Sequence, residues 1–568
     1  MAAAAASAVE LFMVTRRDIL AATAAGILAG TPAGAQSAGD PVRKLVIISR
    51  PQSNNPLAWQ AAEMIVQEWR KLGLDVELRP MPRQQHSDVV WRLRDQWDMT
   101  MWQMVGRPER SDPDEFLFNL FHSSTAPTGF NFVGWISPEY DALAEAQRRE
   151  ADPARRQALV RQAQELVNAN QTYAFLVHPE QVHAYNRTQL KEGTLISQAG
   201  LGLRNIWTYL GVEPIGTRRD LVLNASEPML AIHPFWISGA TDSWVTELVW
   251  DRIMRIGPDG LPRPWAAESV TWVDPTTVDI VIRAGMKWHD GTPVTVDDII
   301  FSFEAPSTGN EAPMYRPFVI NIAKMEPTRE RTIRFTLKQP EAAFETATFS
   351  KINLVPKAFW EPVLKEYLNR PENLERFVLE RPIASGPFKV ARARLNEEIV
   401  LERNAEHFSP PKVDRWILRI TPNVEGVLGM LNRGEINFMA DYTGDPELVE
   451  DLVKRNRSIV MGKAVDVGFQ FLAWNHRRPP FNDPAFRRAL SALVDREAMA
   501  SAAWNGYAVP ANSHVSPALP FWHREGIVAE APRGIEIARQ ILADAGYRVV
   551  NGWLHYPPGI RETTTPAN

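Results

Sequence analysis

The sequence predicts a mixed α/β protein with more than one lobe. Three observations carry that prediction. The chain has 568 residues, enough for more than one compact unit. From Lys44 to Leu78 it reads strand, amphipathic helix, strand, which implies a parallel pair with a right-handed crossover. From Thr277 to Phe303 it reads strand, turn, helix, inside a second and strand-rich region.

The first residues read as an export signal. Thr15-Arg16-Arg17-Asp18-Ile19-Leu20 resembles a twin-arginine motif. An apolar run from Ile19 to Leu28 follows, and Ala33-Gly34-Ala35 fits a small-x-small cleavage site. Residues 1–35 are therefore expected to be a signal peptide, with Met13 as an alternative start. The apolar run is too short for a membrane span of about 20 residues.

The remaining elements follow in order. Lys44 to Ser49 is a strand, and Leu57 to Leu72 a helix with Leu57, Ala61, Met64, Ile65 and Leu72 at helical spacing. Gly73 ends it, because glycine accepts the left-handed cap conformation. Leu74 to Leu78 is the next strand, Asp88 to Asp95 a helix and Asp98 to Met104 a strand. A polar loop, Gly106 to Asp114, is rich in breakers. Helices are expected from Pro113 to Phe121, Pro138 to Arg149 and Pro153 to Ala169, each with proline where no N–H is needed. Tyr173 to His178 is a strand, and Gly193 to Asp220 is irregular. Leu221 to Asn224 opens the strand-rich region, which runs to about Asp441. Helices near Pro484 to Leu493, Arg496 to Trp504 and Ile535 to Ala545 close the chain. Gly546 ends the last of them, before a Pro- and Thr-rich tail.

The stretch Gly285 to Phe303 places the rest. His289-Asp290-Gly291 makes a turn, since Asp-Gly tolerates positive φ. Thr295 and Asp298 nearly match a capping box, and Ile299, Ile300 and Phe303 supply the helix's buried face. This stretch resembles the signature of the family 5 extracellular solute-binding proteins, which include periplasmic binders of peptides, opines and nickel complexes. Trp250-Asp251, Gly260 to Ser269, Ala384 to Lys389, Arg403 to Phe408 and Arg433 to Ile436 resemble further elements of the family. So do Asn482 to Leu490 and Val494-Asp495-Arg496.

The resemblance implies a two-lobed α/β periplasmic-binding-protein fold, type II and of the large peptide-binder type. Mixed sheets and an inter-lobe cleft belong to it. The parts stand in an unusual order, so a circular permutation is expected. The second lobe would combine residues 42–177 and 473–556, and residues 178–472 would form the first lobe with the family's subdomain insert. Residues 557–568 would be a frayed tail. The alternative is a separate added domain at about residues 43–190, with the family's second lobe truncated.

Composition narrows the chemistry. Cysteine is absent, which excludes disulfides, thiolate metal sites, a cysteine nucleophile and a lipid-anchoring cysteine. The formal charge of −5 gives no basic field for nucleic acid. No phosphate loop, nucleophile elbow or His-Glu-x-x-His occurs. His178 and His183 read as surface or hinge groups, and no metal, cofactor or covalent chemistry is expected. The family's dipeptide and oligopeptide binders carry an Asp, pairing with a free ammonium, about where Arg107 stands. Arg107 therefore points to an anionic, peptide-like or opine-like solute, or else it pairs with Glu109 or Asp112 to hold its loop. Candidate ligand-binding residues are Arg107, Asp112, Trp102, Trp236, Trp474 and Asn475. The expected partners are a small-molecule or short-peptide ligand and an inner-membrane ABC permease, and the protein is expected to be a periplasmic monomer. A sensor in place of the permease is the variant reading. The alternative from another class is a periplasmic hydrolase of sugars or peptides using Asp112 and Asp114.

The export reading has a direct test. Replacing Arg16 and Arg17 together by Lys should leave precursor in the cytoplasm, because the receptor reads the guanidinium pair. Fractionation followed by immunoblotting shows it, and undiminished periplasmic delivery would refute it.

Overall fold

Leu45–Ser49 (β1) pairs in parallel with Val76–Pro80 (β2), Leu45 opposite Val76 and Ile47 opposite Leu78. The helix Pro56–Arg70 crosses between them and buries Ala58, Ala61, Ala62, Ile65, Val66 and Trp69. Asn55 caps it by accepting the Ala58 amide, a contact worth about 1 kcal/mol. Gly73 has φ +80°, and a Cβ there would meet the Gly552 carbonyl oxygen at 2.5 Å, so both conformation and space demand glycine. The computed structural model describes residues 38–150, 152–237, 239–307, 315–367, 381–527 and 533–559. The expected signal peptide and most of the expected tail lie outside them.

Twelve strands among these residues form one sheet. After β1 and β2 come Met99–Met104 (β3), Tyr173–Asn186 (β4), Asp220–Ala225 (β5), Phe388–Arg394 (β6), Glu398–Arg403 (β7) and Arg415–Ile420 (β8). Phe438–Met439 (β9), Ile459–Val465 (β10), Phe469–Trp474 (β11) and Ala508–Pro510 (β12) complete it. The order is β6-β7-β8-β5-β9-β4-β11-β3-β1-β2, with β10 and β12 also on β4. Pairing is parallel for β1–β2, β1–β3, β5–β8 and β5–β9, and antiparallel where β4 and β11 pass between the two parallel sets. A separate four-stranded sheet holds Ala267–Asp274, Thr277–Ile282, Ile322–Arg329 and Thr332–Leu337. The helix Val296–Glu304 follows with Thr295 and Asp298 in a complete capping box.

Three expectations shift. The helix expected at Asp88 to Asp95 lies at Arg83–Trp91, started by Pro82 and turned inward at His86 and Val90. β4 does not stop at His178 but runs to Asn186, because β10 pairs with it from Glu180 to Asn186 and buries Val182 and Ala184. The irregular stretch holds a short helix, Ile206–Gly211, capped by Asn205.

Distant parts of the chain share one core. Leu45, Ala58 and Trp69 pack in the same cluster as Leu490, Ala538, Leu542 and Leu554. The Trp69 indole donates to the Leu490 carbonyl at 2.9 Å and stacks on Trp474 with centroids 5.6 Å apart. The outer residues meet as well. Val42 N–H donates to the Leu554 carbonyl at 2.7 Å, and Tyr556 N–H to the Asp40 carbonyl at 2.9 Å. Among the described residues no helix is long and apolar enough to cross a membrane.

Candidate functional site

The carboxyl ends of the two parallel strand sets face one cleft, the position where open α/β sheets bind ligands. Arg50 follows β1 and Val105 follows β3, while Ser226 follows β5 and Asp441 follows β9. These residues, with Arg204 and Trp244, help line a space of roughly 1000 Å³ open to solvent.

Charges span the cleft. Glu227 pairs with Arg50 and, at 3.4 Å, with Arg83. Arg83 also donates to the Pro228 carbonyl at 2.8 Å and lies against Gly239, where a Cβ would collide with its guanidinium. Burial and the neighbouring Arg83 pull Arg50 down to about 9, so it stays charged at neutral pH. Asp441 accepts from the Ser226 amide at 2.8 Å and from its hydroxyl at 2.5 Å. Asp466, in the turn between β10 and β11, accepts from the Gly468 amide at 2.8 Å and from the Gln181 side chain. Burial raises its pKa.

The loop after β3 has another use. Arg156 holds Asp112 through two bonds of 2.6 and 2.8 Å, and Arg148 holds Asp114 at 2.7–3.0 Å. Both carboxylates are buried and engaged by arginine, so neither is placed to activate water or protonate a leaving group; the hydrolase alternative is set aside. Arg107 is half-buried in extended backbone, and its Nε has no hydrogen-bond partner. Burial works to raise the pKa of Glu109, but Arg252, Lys351 and Arg107 outweigh it and push the carboxyl down to about 2. Across the lobes, Glu109 lies 3.6 Å from Arg252, Glu115 lies 2.5 Å from Lys351, and the Arg148 carbonyl accepts the Ala342 amide at 2.6 Å.

The other expected residues are spread out. Trp102 borders the cleft beneath Arg50, 5.5 Å from its guanidinium, and meets His86 and Trp91 edge-on. Trp236 is half-buried after β5. Trp474 lies in the lobe core and donates to the Gln171 carbonyl at 2.9 Å. Asn475 is buried and donates to the carbonyls of Arg94 and Trp97. Of the six, Trp102 comes nearest to the cleft, in a small pocket that shares Arg50, Asn55, Gln103 and Gln470 with it. His178 and His183 are fully buried on β4, not surface groups. Sequence reading missed Arg50, Arg204, Glu227 and Asp466. Arg50 had a signal, a lone cation ending the apolar run Val46-Ile47-Ile48; Arg204 had none.

Comparison with known proteins adds to this geometry. The profile of the bacterial extracellular solute-binding proteins, family 5 Middle, matches residues 21–128 and 262–568. The oligopeptide-binding protein AppA of Bacillus subtilis (strain 168) is 27% identical over 292 residues, 50% of this chain and 52% of AppA. The glutathione-binding protein GsiB of Escherichia coli (strain K12) is 24% identical over 359 residues, 62% of this chain and 66% of GsiB. The chain thus aligns with between about half and two thirds of these relatives' length. The solved structure of AppA with a nonapeptide is similar in fold, with a TM-score of 0.50 at 21% identity over 59% of this chain and 66% of that one.

Glu109→Gln should expose what the loop does. It removes the shared counter-ion of Arg252, Lys351 and Arg107, and should cost about 3–5 kcal/mol in urea denaturation at neutral pH. The sign with pH follows from the depressed pKa. The ionised Glu109 stabilises fully above its ordinary value of 4.5 and loses that contribution as pH falls toward 2. The wild-type melting temperature should therefore fall more steeply with acid than that of Glu109→Gln.

Proposed function

Because the chain belongs to the bacterial extracellular solute-binding proteins of family 5, we propose that it captures a small solute between its lobes and delivers it to an ABC permease. The observation that carries the reading is the cleft itself. It lies at the carboxyl ends of parallel strands from both halves, and Glu227 spans it to Arg50 and Arg83. A lobe movement about the crossing strands would open and close it. Solute is then held by exclusion of water and by pairing of its charges, with no bond made or broken.

The solute class is peptide-like or opine-like and anionic. The names of AppA and GsiB support the peptide-like part, and the cleft cations Arg50 and Arg204 support the charge. Arg107 serves its loop in this reading: its charge acts on Glu109 in the inter-lobe cluster, the second of the two roles its sequence position allowed. The protein works in the periplasm as a monomer after twin-arginine export.

The chain order is that of a circular permutation, with the second lobe made from residues 42–177 and 473–556 around a first lobe of 178–472. Two observations support this. Residues 39–42 and 554–556 hydrogen-bond to each other, so ends joined in a relative would lie together here. A co-linear alignment follows only one of two reordered parts, and those with AppA and GsiB stop at 50% and 62% of the chain.

Native mass spectrometry of protein purified without unfolding should find a bound small anion, released intact on denaturation. Turnover of that solute, or its binding outside the cleft, would overturn the reading. For chain order, a gene joining residue 559 to residue 38 by a short linker and opening at Gly216 should give a folded protein with the same ligand. Gly216 suits the cut, since nothing lies within 4 Å of the Cβ position there. An insoluble or molten product would sink the permutation.

A further inference from the structure

Arg204 lines the cleft yet lacks an acid of its own. The residue is only 8% exposed, and its guanidinium lies 4.3 Å from the centre of the Trp244 ring. Its hydrogen bond to Gln181 is long, Nη2 to Oε1 at 3.5 Å. Among the described residues no carboxylate lies within 4.0 Å of it. Three of the four acids in the lining are committed elsewhere, and the fourth, Glu180, is not within ion-pair distance of Arg204. Asp466 feels the charge of Arg204, but its oxygens take the Gly468 amide and the Gln181 side chain. Glu227 is held by Arg50 and Arg83, and Asp441 by Ser226.

A guanidinium carries five N–H donors and stays charged inside a protein. Burying it with so little pairing is costly unless an acceptor arrives. We propose that Arg204 receives a carboxylate of the solute, with Trp244 covering one face of the guanidinium and the free N–H edge meeting the two oxygens. This rests on reading the cleft as the solute site. The charge count favours a monoanion. Glu180, Asp441 and Asp466 share the lining, so a phosphate dianion would meet more repulsion than one free arginine offsets.

Placement suggests why this arginine matters. Gln181 lies on β4 and Asp466 in the β10–β11 turn, the two segments that cross between lobes. Gln181 bonds both Asp466 and Arg204, so a carboxylate on Arg204 sits one side chain from each crossing.

Acetate is the probe. Titrated at constant ionic strength against chloride, it should raise the melting temperature of the wild type saturably, and Arg204→Met should weaken the apparent affinity by at least about tenfold. Arg204→Lys, which keeps charge without the planar fork, should fall between them, and Arg394→Met, at an exposed arginine outside the cleft, should respond like wild type. Acetamide and inorganic phosphate should give no saturable shift. An equal acetate response in wild type and Arg204→Met, or none in wild type, overturns the assignment. Equal circular dichroism spectra establish that each variant is folded, and Arg204→Lys decides if Arg204→Met is not. Native mass spectrometry separates the two readings: a carboxylate site at Arg204 with no solute retained in the cleft would count against the proposed function alone.

Discussion

The two halves of this molecule are tied by one strand that serves both. β4 has 14 residues, a reach of roughly 45 Å at the usual rise, and no core residue is given up along it. Its first part, Tyr173 to Val177, pairs with β11, and its second, Glu180 to Asn186, pairs with β10. Between them Pro179 supplies no N–H, so the ladder must be repaired from outside. The Pro179 carbonyl accepts the Asp466 amide at 2.9 Å, and the Glu180 amide goes to the Tyr507 carbonyl at 2.9 Å. His178 reaches the Gly468 carbonyl at 2.8 Å. Each crossing segment thus satisfies polar groups of the other.

Charged groups meet across the contact between the two halves. Arg50, Arg83 and Glu227 meet on one side of the interface, and Glu109, Glu115, Arg252 and Lys351 on the other. Buried ion pairs add little net stability because desolvation offsets much of the Coulomb gain. They are geometrically demanding, however, since a displaced partner leaves a charge uncompensated. Such contacts select one arrangement of the two halves while adding little to its stability. An apolar interface of the same extent would hold the lobes together with less regard to alignment.

The local elements were readable because local rules govern them. The parallel β1–β2 unit followed from helical spacing and Gly73, and the helix after His289-Asp290-Gly291 from Thr295 and Asp298. The expected strand ends at His178, just before Pro179; only β10, some 280 residues away, makes the residues after it strand. The cleft residues were harder still. Trp474 and Asn475 lie at the end of β11 away from Asp466, and β11 is central and covered on both faces. All six of its residues are buried, so no alternation marks which side chains face outward. Arg204 lies in a segment with no motif, and only tertiary packing puts it beside Trp244 and Gln181.

The loop from Gly106 to Asp114 is held in place from several directions. Gly106 lies so close to Asp466 that any Cβ would strike that carboxylate, which fixes where the loop leaves β3. From there Arg156 and Arg148 clamp Asp112 and Asp114, and Glu109 and Glu115 are directed at cations of the other lobe. Every acid in the loop is thus spent on structure, and none is left to receive a solute's ammonium. In the cleft, Glu227, Asp441 and Asp466 are engaged by arginines, a hydroxyl and backbone amides. The acids of this loop and those of the crossing segments are thus tied into the same contact between the two halves.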